Sequence, residues 1–314
     1  MLPITAPTLV HNGLTLNTGR NRDQWHTMTR TGKSPKLGAH LAEPYLEIHP
    51  DDAADVGTYH GDLVAVETAQ GSAILRSLVT NRVARGQLFA PMHWTRQTAR
   101  GAVVNALMTS VTDPFSGQPA LKRGRGLNVS PFVAKWYGFM ACAQKPRATS
   151  PYAAIARTAT GWQVEMGALE SPPDWTEAAR SIAQLPEAEA AVYEDSSDGT
   201  LRVALSTHGM IQALFFVANS PVALSRSAAI AHIGTDTPPL EALAGRMGNN
   251  QPDPGAIVCA CLNVGQNTLV KAIGAGAFSV AALGEVTCAG TNCGSCKPEL
   301  ARLVAQHSLP VAAE

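Results

Sequence analysis

The residues best suited to chemistry are six cysteines, of which Cys142 stands alone while Cys259, Cys261, Cys288, Cys293 and Cys296 crowd one end of the chain. Cys259-Ala-Cys261 and Cys293-Gly-Ser-Cys296 are close-spaced pairs, and such spacing lets a single turn aim two thiolates at one centre. Gly290, Gly294 and Ser295 leave room for backbone amides to approach the sulfurs. A cluster of this kind favours metal binding over a disulfide framework. Four thiolates suit an all-cysteine zinc site or an iron–sulfur cluster, and spacing alone leaves that choice open. Cys142 is expected to act as a small core hydrophobe.

A second chemistry-bearing stretch lies near the start, NTGRNRDQWHTMTR. Thr18 supplies a hydroxyl, Gly19 allows close backbone approach, and Arg20 carries a forked cation suited to phosphate. Trp25 and His26 can stack on a heterocycle or hydrogen-bond to it. Read from residue types alone, this is an ordered surface loop, and His93-Trp94, Asn105 and Lys122 are surface positions. Charge adds a hint. The chain is neutral overall, but residues 1–147 hold 16 Lys and Arg against 9 Asp and Glu, and the remainder holds 8 against 15. A basic front half suits a polyanionic ligand. Nucleic acid is not expected, because the basic half lacks aromatic interleaving or a recognition motif.

These residues must be positioned by 314 residues of chain, enough for two or three domains. Hydrophobic residues at 45% and charged residues at 15% exclude disorder. No run of about 18 apolar residues predicts a membrane span. The opening MLPITAPTLVHNG lacks a basic and an apolar region, so no secretory signal and a cytoplasmic location are expected.

Along the front half, a first strand and a long loop give way to YLEIHP as a strand. DDAADVG follows as a short helix ended by Gly57, then DLVAVET and AILRSLV as strands about a Gln70-Gly71 turn, and GQLFAPMHW as another. This pattern predicts a β-barrel or sandwich over residues 1–147. The stretch 145–175, with KPRATSPY and LESPPDW, reads as a boundary zone. Residues 148–250 then form a small α+β domain with no chemical constellation. After MGNNQPDPG, residues 255–314 hold three short helices with the cysteines in the loops between them. Asn267 and Ser279 are the expected caps of the first two, and Pro298 lies in the first turn of the third.

The motif VCAC…AGTNCGSCKPEL resembles the small helical [2Fe–2S] domain of bacterioferritin-associated ferredoxins, a module also found in assimilatory nitrate and nitrite reductases. The likeness makes Cys259, Cys261, Cys293 and Cys296 the cluster ligands and leaves Cys288 a bystander. The front half resembles the C-terminal cofactor-binding domain of molybdopterin-dependent oxidoreductases of the nitrate reductase type. The matching pieces are TGR with QWHT-MTR, then HPDDAADVG, PMHW, VN-L-T and DP-SGQP-LK. That resemblance implies a six-stranded double-psi β-barrel gripping molybdopterin guanine dinucleotide. Thr18, Gly19, Arg20, Trp25, His26, Thr27, Asn105 and Lys122 would be its contacts.

Together the two resemblances imply the C-terminal portion, or a subunit, of a molybdenum oxidoreductase that reduces nitrate to nitrite. The cofactors implied are Mo-bis-MGD, shared with upstream domains, and the [2Fe–2S] cluster. The implied partners are an electron donor protein (a reductase subunit or ferredoxin) and a chain carrying the upstream molybdenum domains. No cysteine in residues 1–141 can ligate molybdenum and no catalytic side chain is assigned, so the isolated chain is expected to be incomplete and inactive. The competing expectations are a stand-alone ferredoxin-like electron-transfer adaptor and a zinc-stabilised binding module.

Overall fold

The computed structural model describes residues 13–108, 111–112, 114–117, 124–246 and 252–308. Its first part is built from β1 (Leu14–Gly19), α1 (Pro35–Gly38), β2 (Tyr45–Ile48), α2 (Pro50–Val56), β3 (Leu63–Thr68), β4 (Gly71–Val79) and β5 (Gln87–Pro91). β6 (Ala99–Arg100) and β7 (Gly124–Pro131) follow. Six of these strands close into a barrel in the order β1-β5-β2-β4-β3-β7, and β7 completes the ring by pairing antiparallel with β1. Two neighbouring pairs, β1 with β5 and β2 with β4, run parallel. Alternation explains the strands: Ala73, Leu75 and Ser77 of β4 turn inward, while Ile74 and Arg76 between them are half-buried. The interior is aliphatic, with Leu16, Leu46, Ile48, Val64, Val66 and Leu88 fully buried.

The short helix expected at DDAADVG is α2. The His49 ring accepts the Asp51 N–H at 3.2 Å, acidic Asp51 and Asp52 occupy the first turn, and Gly57 ends the helix at φ 76°. Val104–Leu107 forms a single 3-10 turn packed on β3 and β4.

The stretch 145–175 holds more than a boundary. β8 (Trp136–Cys142), β9 (Tyr152–Arg157) and β10 (Trp162–Ala168) lead into α3 (Trp175–Ala183), β11 (Glu189–Asp195), β12 (Thr200–Thr207) and β13 (Met210–Ala218). With β6 they make an antiparallel sheet ordered β11-β12-β13-β8-β10-β9-β6. β8, which precedes residue 147, thus lies at the centre of this sheet and not in the barrel. Its two faces are both covered: Trp136, Met140 and Cys142 pack in one core with α3, and Phe139 and Ala141 pack in the other. A strand buried on both sides shows no polar alternation, which is why its sequence does not announce its partners. Cys142 is fully buried, and burial pushes its thiol up to about 12, as suits a core residue. The second core is closed by α4 (Arg226–Ala231) and α5 (Pro239–Ala242).

The last part holds the hairpin β14 (Ile257–Cys259) and β15 (Val264–Gly265), then α6 (Gln266–Gly274), α7 (Val280–Thr287) and α8 (Lys297–His307). The Ser279 hydroxyl caps α7 by accepting the Ala282 N–H at 3.1 Å, as expected. Asn267 does not cap α6. It lies inside the helix, and its side-chain amide donates to the Asp253 carbonyl at 3.3 Å, while Gly265 is the N-cap. Among the described residues no helix is long and apolar enough to cross a membrane.

Barrel and second sheet are joined by buried charge. Arg76 of β4 donates to the Glu43 carboxylate at 3.0–3.1 Å and to the Gly61 carbonyl at 2.9 Å, and lies 3.7 Å from Glu165 of β10. Arg226 of α4 holds Glu165 at 2.7 Å from the other side, and the Tyr152 hydroxyl of β9 donates to Glu43. Removing one member leaves buried charge uncompensated. Arg76→Met should therefore lower the unfolding free energy by about 3 kcal/mol, read from the urea midpoint; an unchanged midpoint would remove the network from the account of stability.

Candidate functional site

Parallel pairing sets the first site. Gly19 ends β1 opposite Pro91 at the end of β5, and the Met92 N–H donates to the Gly19 carbonyl at 3.0 Å. The loops leaving both strands consequently start side by side. His93, two residues beyond β5, is fully buried beneath the loop that follows β1. Its Nε2 accepts the Asn21 N–H at 2.9 Å, and its Nδ1 lies 2.7 Å from the His26 carbonyl. Those two contacts require a neutral ring protonated at Nδ1. Burial holds its pKa below the usual histidine value against the His26 carbonyl, and the Arg20 and His26 charges push the same way as burial.

Above this strut the loop presents the residues picked out by sequence. The Arg20 guanidinium lies 4.4 Å from the centre of the Trp25 ring, and Trp25 meets His26 edge-on at 4.7 Å. Arg20, Trp25, His26 and Thr27 are exposed, and Thr18 and Gly19 lead into them from β1. His26 and Met28 take positive φ, 44° and 60°, so the loop is held in a costly backbone shape. Asn21 carries a stronger signal: both polar atoms of its side chain are buried with no hydrogen-bond partner. A buried amide without a partner costs about 1–3 kcal/mol. Asn105 is exposed on the 3-10 turn that packs on β3 and β4. Lys122 lies outside the described residues.

Sequence reasoning from residue types took His93 and Trp94 for surface; both are buried, His93 as the strut. The apolar run LFAPMHW around them was the available clue. Asn21 has no sequence signal, because nothing in its type separates a satisfied from an orphaned amide.

The cysteines form the second site. Cys259 and Cys261 sulfurs are 3.8 Å apart, Cys261 and Cys293 are 3.6 Å apart, and Cys296 hydrogen-bonds with Cys259. Sγ of Cys293 also lies 3.2 Å from the Ser295 hydroxyl. The hairpin β14–β15 presents the first pair, and the turn before α8 presents the second. Cys296 is the N-cap of α8, where the helix dipole favours a thiolate. Burial raises the Cys259 thiol, but the N–H groups of Gly290 and Leu262, with Cys296 and Cys261, outweigh it and lower its pKa. Gly290 reaches this position at φ 80°, a backbone region that favours glycine. Burial and the neighbouring Cys259 push Cys296 up to about 11.

Cys259 and Cys296 are buried, whereas Cys293 is exposed. Among the described residues no three His, Cys, Asp or Glu side chains are placed to hold a single metal ion. The four sulfurs form one run, Cys293 to Cys261 to Cys259 to Cys296, and four thiolates with backbone donors are a ligand set that a two-iron cluster can use. Cys288 stands apart in role: it is the left-handed C-cap of α7 at φ 61°, and its carbonyl accepts the Thr291 hydroxyl at 2.7 Å.

His93→Leu removes both contacts of the strut, and the Asn21 amide should then exchange with solvent about tenfold faster. A histidine kept neutral in the fold loses stability as pH falls below its unfolded pKa of about 6.5. The stability advantage of the native chain over His93→Leu should therefore shrink between about pH 7 and about pH 5.5, as followed by urea unfolding at each pH.

Comparison with known proteins finds two domain families in this chain. Residues 14–124 match the molydopterin dinucleotide binding domain, and residues 257–306 match the BFD-like [2Fe–2S] binding domain. A nitrate reductase from Klebsiella oxytoca is 33% identical over 311 residues, covering 96% of this chain and 35% of that protein. The assimilatory nitrate reductase catalytic subunit of Bacillus subtilis is 34% identical over 109 residues, 35% of this chain and 15% of that protein. An F420-dependent formate dehydrogenase subunit of Methanococcus maripaludis is 31% identical over 109 residues, again 35% of this chain and 15% of its own length. The chain thus spans about a third or less of the curated relatives it matches. It joins a molydopterin dinucleotide-binding domain to a BFD-like [2Fe–2S] domain, and nearly its whole length is similar to part of a nitrate reductase.

Proposed function

We propose that this chain is the cofactor-gripping and electron-relaying part of a cytoplasmic molybdenum nitrate reductase, acting with upstream molybdenum domains and an electron donor protein. The observation that carries the reading is the collinear similarity to the Klebsiella oxytoca nitrate reductase, which runs through the barrel, the middle sheet and the cysteine domain alike. The barrel alone would not suffice, since the same segment is also similar to a formate dehydrogenase subunit. It is a cofactor holder common to enzymes named for different substrates, so nitrate is not selected there.

In this reading the barrel is of the double-psi type, and the loop 18–27 holds the dinucleotide. The orphaned amide of Asn21 supports it, because a donor and an acceptor side by side match the amide edges of a pterin or guanine ring. Thr18 and Gly19 approach the phosphates, Arg20 neutralises them, and Trp25 with His26 offers a stacking face. His93 keeps that loop in shape without touching the ligand. Asn105 and Lys122 complete the proposed contacts. When bound, the molybdenum cofactor supplies oxygen-atom transfer and the [2Fe–2S] cluster supplies single electrons.

Cys259, Cys261, Cys293 and Cys296 hold the cluster, with its exposed Cys293 side toward a donor and its buried Cys259 and Cys296 side toward the rest of the chain.

Reconstitution of the chain with iron and sulfide should give a red-brown protein with about two irons per chain. Cys293→Ser and Cys296→Ser should each abolish that visible absorbance. A colourless chain loaded with stoichiometric zinc would instead establish the zinc-stabilised module. Asn21→Leu should weaken retention of the molybdopterin dinucleotide about tenfold or more, measured as cofactor content after gel filtration. Wild-type chain that retains no dinucleotide while binding the cluster would favour the ferredoxin-like adaptor.

A further inference from the structure

Arg22 lies in the barrel loop 18–27, yet its guanidinium reaches the cysteine domain. Nη1 is 2.9 Å from Glu299 Oε2, and Nη2 donates to the Val258 carbonyl. Both contacts adjoin the sulfurs. Val258 immediately precedes Cys259, and Glu299 lies one turn into α8, its N–H donating to the Cys296 carbonyl at 2.9 Å. On the barrel side Asp23 holds Arg22 at 3.0 Å and His40 Nδ1 at 2.5 Å, and His40 Nε2 stands 3.2 Å from Glu299. Four side chains from three segments therefore form one closed charged group.

Ion pairs at a solvated surface contribute little, because water screens them. This group is different: Arg22 is 19% exposed, Asp23 6%, His40 11% and Glu299 27%. Its members each have more than one partner, and breaking such a shielded network leaves charge unpaired. The planar guanidinium also serves a carboxylate and a carbonyl at once, which a lysine ammonium on a flexible stem does poorly.

We propose that Arg22 is a positioning residue that clamps the iron–sulfur half of the chain in one orientation against the loop assigned to the pterin. The cluster is then a fixed relay held against the barrel loop. Arg22 also balances the carboxylates of Asp23 and Glu299 beside the ligand-bearing segments. Its loss leaves those carboxylates with one cation fewer, and the added negative charge disfavours the reduced cluster and lowers its potential. The proposal rests on the cofactor assignment above for its meaning, although the docking itself does not require either cofactor.

The test uses the full chain, native and as Arg22→Met, Arg22→Lys and Glu299→Gln, without cofactor and after iron–sulfur reconstitution. Without cofactor, Arg22→Met should raise hydrogen exchange at the amides of residues 257–261 about tenfold or more and enlarge the radius of gyration by X-ray scattering. Core amides of α6 and α8, such as those of Ile273 and Leu303, should stay protected. Glu299→Gln should move both readouts in the same direction by less. After reconstitution, Arg22→Met should lower the midpoint potential while Arg22→Lys largely restores it, a shift that a purely structural role would not produce. Native exchange and scattering in both Arg22→Met and Glu299→Gln would overturn the clamp. If Arg22→Met also opens the core amides, Glu299→Gln decides alone. Failure of the native chain to take up iron would count against the cofactor reading, with the exchange result still deciding the docking.

Discussion

Parallel neighbours in a sheet cannot be joined by a tight turn, so the chain must make a long crossover between them. Between β1 and β5 that crossover is residues 20–86, and it carries α1, α2 and three other strands of the barrel. Because the two strands run the same way, both loops beyond their carboxyl ends emerge at one rim. This is what lets His93, far along the chain, stand under a loop that begins at Arg20. The positive-φ residues of the loop depend on that support. An unsupported loop with His26 and Met28 in the left-handed region would relax.

The cysteine domain solves a different problem. Its core is small, built on residues such as Leu269, Ile273, Leu283 and Leu300, and two of the thiols are part of it. Buried sulfur is favourable as a hydrophobe but unfavourable as a thiolate. Backbone N–H groups from Gly290 and Leu262 offset that cost at Cys259, whose thiol pKa is lowered, whereas burial keeps that of Cys296 raised. Ligation and folding are coupled in such a domain, since the same residues serve both.

The charge imbalance between the two halves also acquires a structural meaning. A basic front half looked like the signature of an anionic ligand. Two of its arginines are in fact directed at carboxylates of the acidic back half, Arg76 at Glu165 and Arg22 at Glu299. Part of the imbalance is therefore internal, holding barrel, sheet and helical domain together. Arg20, by contrast, is exposed on the loop and poised over Trp25.

The amino-acid sequence by itself determined the local features. Cysteine spacing, the Ser279 cap, the glycine that ends α2 and the alternation in β3 and β4 all depend on residues within a few positions of one another. The motifs for both cofactor segments were legible for the same reason. Only the tertiary structure decided that β8 belongs to the second sheet, because a strand buried on both faces carries no pattern naming its neighbours. It likewise decided that Asn267 lies within α6 rather than capping it. Tertiary structure alone turned His93 into a strut, left the Asn21 amide without a partner, and brought Arg22 to Glu299 across more than 270 residues of chain. Burial and long-range pairing depend on what the rest of the chain brings alongside, and no residue's own type or near neighbours contain that information.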